Sequence, residues 1–264
     1  MKIAISGKGG VGKTTIAGTL ARLFADEGYK VLAIDVDPDA NLASTIGIPD
    51  ELAKNIVPLS AMKDLVEKRT GAKPGFPGGL FKLNPKVDDI PDKFCTEAFG
   101  VKLLVMGTVD KGGMGCICPE NALLRSLMRH LLIDRDEVVI MDMEAGIEHL
   151  GRGTAESVDA LLVVVEPSLR SIQTARSIKK LAEDIGIRRI FLVINKIRGG
   201  EEEAYLRENL PELPVLVSIK ESPKIRLADL EGISPYDADQ SLVRQLKTLK
   251  EELEIRCGTR SDRL

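Results

Sequence analysis

The residues with the clearest chemical potential form a glycine-rich stretch near the start of the chain, Gly7-Lys8-Gly9-Gly10-Val11-Gly12-Lys13-Thr14-Thr15. The stretch fits the pattern GxxxxGK followed by Ser or Thr, in which backbone N–H groups turn toward an anionic phosphate. A helix that begins at the loop adds the positive end of its dipole. We therefore predict a nucleotide site in which Lys13 reaches the β- and γ-phosphates and the Thr14 hydroxyl binds Mg²⁺.

The flanking sequence supplies the elements that such a loop requires. Residues 1–6 are apolar and predict a strand, and residues 16–25 predict a helix. Further apolar runs predict strands at 30–35, 101–106, 137–141, 160–165, 189–194 and 215–219. Helical patterns fall at 59–69, 123–131, 171–185 and 241–255. This alternation predicts an α/β fold with one mostly parallel, twisted sheet covered by helices on both faces.

Length and composition narrow the class of protein. The 264 residues are enough for one large domain with a buried core, so we expect residues 1–264 to form a single ATP-binding domain. Residues 50–100 contain little apolar material and predict a flap or insertion on it. A net charge of −3 offers no general basic surface for nucleic acid. No apolar run reaches about 18 residues, so we expect no membrane-spanning helix. Four cysteines beside an ATP site indicate a reducing cytoplasm.

Carboxylates follow two of the predicted strands. Asp35 and Asp37 come at the end of the strand at 30–35, and Asp142 follows the strand at 137–141. Residues just beyond the carboxyl ends of parallel strands lie in the ligand crevice of such sheets. Asp142 suits an acid that holds Mg²⁺ through water, and the short, flexible segment up to Gly146 suits a loop that contacts the γ-phosphate. Asp37 could alternatively cap a turn before Pro38.

A Cys-x-Cys segment, Cys116-Ile117-Cys118, separates this chain from a generic nucleotide-binding protein. Residues two apart in an extended segment point the same way, so both thiolates could hold one metal ion such as Zn²⁺, Ni²⁺ or Cu⁺. Two thiolates leave the site incomplete. Further ligands could be Cys95, Cys257, His130 or His149, or the same pair from a second subunit. Alternatively both cysteines are small core or loop residues, and His149 is an uninvolved surface residue.

Lys8, directly after the first glycine, sharpens the interpretation of the loop. The sequence GKGGVGKTT resembles the deviant-Walker P-loop ATPases, which include the nitrogenase iron protein, MinD, ParA and metal-insertion ATPases. The resemblance implies an ATP-stabilised homodimer in which Lys8 reaches the partner's nucleotide and acts in catalysis beside Lys13. It also implies that Asp37, in switch I, orients the attacking water, and that Asp142 lies in switch II. Thr14, Asp37 and Asp142 would then hold Mg²⁺, directly or through water.

The resemblance also bears on the base of the nucleotide. Asn195 and Lys196 follow the strand at 189–194, and in the family the asparagine at this place binds the adenine edge. An amide, which offers a donor and an acceptor together, fits a purine, although asparagine is also common in turns. Residues 220–224, after the last strand, are expected to form a loop beside the base.

Four segments, GKGGVGKTT, DVDPDAN, GCICPENALL and DMEAGIEHLGRGT, together resemble the nickel-insertion ATPases of carbon monoxide dehydrogenase, the CooC type. The resemblance covers nearly the whole chain. It implies a Mg²⁺-dependent ATPase that binds ATP, releases ADP, and helps deliver nickel to carbon monoxide dehydrogenase or acetyl-CoA synthase. Since identical residues meet at a two-fold axis, Cys116 and Cys118 of two subunits could form one four-sulfur site for Ni²⁺ or Zn²⁺.

Two other functions fit parts of the pattern. A reductase like the nitrogenase iron protein needs a cysteine in switch II, where this chain has Met143, Glu144 and Ala145. A positioning ATPase like MinD or ParA needs a membrane-binding terminal helix or a basic DNA-binding face. The helix at 241–255 carries charges of both signs, and residues 256–264 lack an apolar face. We therefore expect a cytoplasmic protein with neither a nucleic acid nor a membrane as partner.

Overall fold

The computed structural model describes residues 1–37, 41–74, 80–107, 119–147, 150 and 152–258. The predicted α/β fold is confirmed. The strands in these residues are β1 (Lys2–Gly7), β2 (Val31–Asp35), β3 (Thr96–Ala98), β4 (Val101–Val105), β5 (Val138–Asp142), β6 (Ala160–Val165), β7 (Ile190–Ile197) and β8 (Val215–Lys220). They form one sheet in the order β3-β4-β2-β5-β1-β6-β7-β8, in which only the β3–β4 pair is antiparallel.

Helices connect the strands and cover both faces of the sheet. In the described part of the chain they are α1 (Lys13–Asp26), α2 (Leu42–Ile46), α3 (Asp50–Ala53), α4 (Lys63–Thr70), α5 (Ile90–Phe94), α6 (Pro119–Ile133), α7 (Arg152–Ala155), α8 (Leu169–Ile185), α9 (Gly200–Asn209), α10 (Pro223–Glu231), α11 (Pro235–Ala238) and α12 (Gln240–Cys257). A short 3₁₀ turn at Leu59–Ala61 precedes α4. None of these helices has the length and apolar character needed to cross a membrane.

The central strands are apolar on both sides because each side packs against helices. In β2, Leu32 and Ile34 belong to one core cluster, and Val31 and Ala33 belong to the other. Helices α4, α6 and α8 contribute to the first cluster, whereas α1, α2 and α12 contribute to the second. Burial on both faces is the expected environment of parallel strands joined by helical crossovers.

Several elements differ from the sequence prediction. The helix predicted at 59–69 is interrupted at Met62, so a 3₁₀ turn and α4 replace it. The loop predicted at 220–224 contains only two residues, because β8 ends at Lys220 and α10 begins at Pro223. Proline fits the first turn of a helix, where its missing N–H is not needed. The prediction that residues 50–100 form a flap stays a prediction, although Val66 and Ile90 join the first core cluster.

Candidate nucleotide site

The glycine loop joins the end of β1 to the start of α1, and its shape depends on its glycines. Gly10 and Gly12 have φ angles of 79° and 97°, which residues with a side chain rarely adopt. A Cβ on Gly7 would lie 2.4 Å from the Val164 carbonyl oxygen, and one on Gly12 would lie 2.4 Å from Asn195 Nδ2. The loop therefore needs glycine both for its turns and for its close approach to β6 and β7.

Lys13 and Thr14 begin α1, so both residues lie where the N–H groups of the first helical turn are free to meet an anion. Lys13 is 6% exposed, and its Nζ donates to the Lys8 carbonyl oxygen over 3.4 Å. Thr14 lies close enough to Asp142 for its hydroxyl to lower the pKa of that carboxyl. The structure thus brings Lys13, the Thr14 hydroxyl and the Asp142 carboxyl together.

Asp35 and Asp142 lie side by side, because they are register partners at the carboxyl ends of the parallel strands β2 and β5. Both side chains are fully buried. The two oxygens of Asp35 accept hydrogen bonds from the backbone N–H groups of Asp37, at 3.1 Å, and Leu42, at 2.9 Å. Neither oxygen of Asp142 accepts a hydrogen bond of normal geometry from the described residues.

Burial changes the acidity of both carboxyls. It raises the pKa of Asp142 to about 7; Asp35 raises it further, whereas Thr14 and Lys13 lower it. Burial raises the pKa of Asp35 to about 6, against the effect of its two backbone hydrogen bonds. A buried carboxylate that accepts no backbone hydrogen bond suits a cation, and Mg²⁺ commonly binds one or two carboxylates together with phosphate oxygens and water. The residues present therefore fit Mg²⁺.

Asp37, two residues after the end of β2, is half-buried. The Asp37 backbone N–H donates to Asp35 Oδ1, and Asp37 lines the same cavity as Lys13 and Thr14. This position is compatible with the predicted role of Asp37 toward an attacking water, which stays a prediction. Pro38, the neighbour on which the turn-capping alternative depends, lies outside the described residues.

Asn195 and Lys196, at the end of β7, contact the glycine loop directly. Asn195 Nδ2 donates to the Val11 carbonyl oxygen at 2.7 Å, and its Oδ1 accepts the Lys196 N–H at 2.9 Å. Lys196 Nζ donates to the Gly10 carbonyl oxygen at 2.5 Å. Asn195 therefore supports the loop through its Nδ2 donor, whereas its Oδ1 accepts from the neighbouring residue of β7. The predicted contact of Asn195 with adenine would use its remaining N–H or lone pair, and it stays a prediction.

A cavity of about 760 Å³ extends from the glycine loop toward β8 and α10. Its volume falls within the range of ligand sites of nucleotide size. The expected residues after β8, Lys220, Glu221 and Ser222, line it. Residues of α2 and α10 form other parts of its wall, including Thr45 and Ile225. These two helices could not be predicted from the sequence, because α2 is only five residues long and Ala228 is the only buried residue of α10.

Glu166 is a further charged residue beside the loop that the sequence analysis missed. It directly follows β6, and its carboxylate lies 3.3 Å from Lys8 Nζ and 3.5 Å from Lys196 Nζ. The signal that identified Asp35 and Asp142, a carboxylate at the end of a buried parallel strand, also applies to Glu166. It could therefore have been found from sequence.

The predicted metal-binding cysteines, Cys116 and Cys118, and His149 lie outside the described residues. Of the other candidate ligands, Cys95 follows α5, His130 lies on α6 with Nδ1 3.0 Å from an Asp134 oxygen, and Cys257 is the last residue of α12. The described segments contain no group of three or more His, Cys, Asp or Glu side chains arranged to hold a metal ion. The Ni²⁺ or Zn²⁺ site therefore stays a prediction.

Comparisons with known proteins agree with the site. The family described as the CobQ/CobB/MinD/ParA nucleotide binding domain matches residues 2–236. The chain is 52% identical to the carbon monoxide dehydrogenase accessory protein CooC of Rhodospirillum rubrum, over 90% of each chain. It is 47% identical to an uncharacterized ATP-binding protein of Methanocaldococcus jannaschii, over 94% of this chain and 96% of that protein.

Solved structures share the fold at lower sequence identity. A ParA family ATPase from Chlorobium tepidum superimposes with a TM-score of 0.68 at 17% identity, over 96% of this chain and 98% of that one. At this identity the likeness concerns the fold alone. The predicted resemblance to CooC-type ATPases of the deviant-Walker class is confirmed by the sequence relatives.

Proposed function

We propose that this chain, which belongs to the CobQ/CobB/MinD/ParA nucleotide-binding family, hydrolyses ATP in order to insert nickel into a nickel–iron–sulfur enzyme. The ATPase part is supported by one observation: Lys13 and Thr14 lie close to the buried Asp142 at the carboxyl ends of the parallel strands. The role in nickel insertion is supported by the similarity to CooC, which is a carbon monoxide dehydrogenase accessory protein by name. Acetyl-CoA synthase is the other candidate client.

The site residues suit phosphoryl transfer to water. The glycine loop and the start of α1 would bind the phosphates through backbone N–H groups, and Lys13 would exchange the Lys8 carbonyl for a phosphate oxygen. Thr14 and Asp142, with Asp37 nearby, would hold Mg²⁺, which neutralises charge on the phosphates when it is bound. Asp37 would orient the attacking water, because it lines the cavity that contains the loop.

A second subunit would complete the site. Lys8 would reach the partner's nucleotide, and its charge would stabilise the transferring phosphoryl group as an arginine finger does. Closure of the homodimer would bring two Cys116–Cys118 pairs together to bind Ni²⁺ or Zn²⁺. Hydrolysis would then loosen the dimer and release the metal to the client. ATP and metal would be coupled because both favour the closed dimer.

A reconstitution with nickel-free carbon monoxide dehydrogenase tests this function. We expect the chain with Mg²⁺ and ATP to raise the recovery of CO oxidation at limiting nickel. Lys13→Ala should not raise it, whereas the control Lys247→Ala, on an exposed part of α12, should match the parent. Equal recovery with Lys13→Ala would contradict the proposal, because nickel insertion would then not depend on the ATP site.

The role of Lys8 has its own test. We expect Lys8→Ala to bind ATP but to remain monomeric and to hydrolyse ATP slowly, since the cation supplied to the partner is missing. Sedimentation and phosphate release measure the two properties. If Lys8→Ala dimerises with ATP and hydrolyses it at the parent rate, Lys8 has no role in the partner's site.

A further inference from the structure

The Glu166 carboxylate connects two lysines that lie on different parts of the nucleotide site. One oxygen lies 3.3 Å from Lys8 Nζ, and the other lies 3.5 Å from Lys196 Nζ. Lys196 Nζ also donates to the Gly10 carbonyl oxygen. The end of β6 is thereby joined through side chains to both the glycine loop and the end of β7.

The backbone around Glu166 is fixed. Its N–H donates to Ser171 Oγ at 3.1 Å, and its carbonyl oxygen accepts the Ser168 N–H at 2.7 Å. Ser168 Oγ in turn accepts the Ser171 N–H and caps α8. The carboxylate is therefore held by a rigid junction between β6 and α8, whereas the lysines that it contacts have long side chains.

We propose that Glu166 is a positioning residue that keeps Lys8 within its own subunit until a partner's nucleotide competes for it. This inference rests on the proposed function, because it assumes that Lys8 acts across a dimer. The side chains of Lys8 and Glu166 are 33% and 22% exposed, and ion pairs with this much solvent contact are weak. The triphosphate of a partner's nucleotide carries more negative charge than one carboxylate, so it can take Lys8 from Glu166.

The second lysine makes this exchange inexpensive for Glu166. When Lys8 leaves, Lys196 still lies 3.5 Å from the other oxygen. Glu166 therefore keeps one cationic partner. A carboxylate left without any cation would disfavour the exchange. Lys196 Nζ also donates to the Gly10 carbonyl oxygen, and this contact with the loop does not involve the Lys8 side chain.

Lysine labelling of the nucleotide-free protein tests the contact in a single subunit. We expect Glu166→Gln to raise the rate of Lys8 acetylation by N-hydroxysuccinimide acetate about two- to fivefold, the size expected for loss of one exposed ion pair. Peptide mass spectrometry resolves each lysine, and lysines far from the loop, such as Lys247, should keep the parent rate. Glu252→Gln is the matched control, because it removes a surface carboxylate that pairs with Arg256 at 2.9 Å.

Sedimentation with a non-hydrolysable ATP analogue and Mg²⁺ tests the consequence for pairing. We expect the dimer of Glu166→Gln to dissociate at an about 4- to 25-fold lower protein concentration than the parent dimer, because pairing breaks two such ion pairs per dimer. Glu252→Gln should match the parent. A gain in labelling at Lys8 together with a tighter dimer supports the proposal.

Each other outcome overturns a defined part of the proposal. Unchanged Lys8 labelling in Glu166→Gln rules out the restraint, and a general rise at all lysines shows loss of structure instead. Raised labelling with unchanged dimerisation rules out control of pairing. If the parent chain stays monomeric with the analogue, both this inference and the proposed dimer are overturned. If the parent forms a dimer and Glu166→Gln behaves identically, only the role of Glu166 is overturned.

Discussion

Asp35 and Asp142 are register partners on adjacent parallel strands. Both carboxyls are completely buried at the carboxyl ends of these strands, the side of the sheet that carries the glycine loop. The two acids differ in their partners. Asp35 accepts hydrogen bonds from the backbone N–H groups of Asp37 and Leu42, whereas Asp142 has no backbone donor among the described residues. Asp35 therefore has a structural role, and Asp142 is the acid available to a cation beside Thr14.

The first prediction concerns pH and Asp142. Because the folded chain raises its pKa from 3.8 to about 7, the folded state binds this proton more tightly than the unfolded state. The free energy of unfolding should therefore fall as pH rises from about 4 to about 7, by on the order of 2–4 kcal/mol from this group. Asp142→Asn should flatten this fall, as urea unfolding of nucleotide-free protein at several pH values would show.

The control for that experiment is Glu252→Gln, which removes a surface carboxylate on α12 and should leave the parent's pH profile unchanged. Asp35 adds a smaller fall that ends near pH 6, because burial raises its pKa less. A pH profile that is the same in Asp142→Asn and the parent would show that Asp142 does not carry a strongly raised pKa.

The second prediction compares two glycines of the same loop. Gly12→Ala should lower the free energy of unfolding by about 1–3 kcal/mol, because its φ is 97° and the added Cβ would meet Asn195 Nδ2 at 2.4 Å. Gly9→Ala should change it by no more than about 0.5 kcal/mol, because no atom lies within 4 Å of the added Cβ. Equal losses in the two variants would mean that the contact with β7 does not shape the loop.

The third prediction concerns Lys13. Replacing Lys13 with Ala removes a charge-assisted hydrogen bond to phosphate, so ATP should bind about 10- to 100-fold more weakly. Titration with a fluorescent ATP analogue measures this change. Lys247→Ala, which removes an exposed lysine from α12, should bind like the parent, and a Lys13 variant of parent affinity would exclude Lys13 from phosphate binding.

The fourth prediction separates the two roles of Asn195. Asn195→Ala leaves the buried Val11 carbonyl and the Lys196 N–H without their partners, so the free energy of unfolding should fall by about 1–3 kcal/mol. If Asn195 also contacts adenine, the variant should lose affinity for ATP more than for GTP, and this is the result we expect. Equal losses for both nucleotides would limit Asn195 to supporting the loop.

Most of the sheet could be predicted from the sequence, because parallel strands buried on both faces give continuous apolar runs. The seven predicted strands are present in the structure, and each end lies within three residues of its predicted position. The short antiparallel strand β3 was missed, since none of its three residues is fully buried. The acidic helix α9 was missed for a related reason, because Leu206 is its only buried residue and one apolar residue gives no periodicity.

The candidate site was predictable where it follows a local rule. The glycine pattern located the loop, and the position of carboxylates after apolar strands located Asp35, Asp37 and Asp142. Contacts between distant segments could not be read in this way. The pair Asn195–Val11 joins residues 184 positions apart, and Lys8–Glu166 joins residues 158 positions apart. Such pairs depend on strand order, which places β6 beside β1 and β7 beside β6.

The measurement that tests the account most directly is metal stoichiometry together with oligomeric mass. Nickel and zinc would be titrated separately into the reduced protein, with and without ATP, for the parent and for the Cys116→Ala/Cys118→Ala double variant. The account predicts one metal ion per dimer in the presence of ATP, and loss of that ion in the double variant. Metal binding by the double variant equal to that of the parent, or no binding by the parent, would contradict the shared thiolate site and the nickel-delivery function.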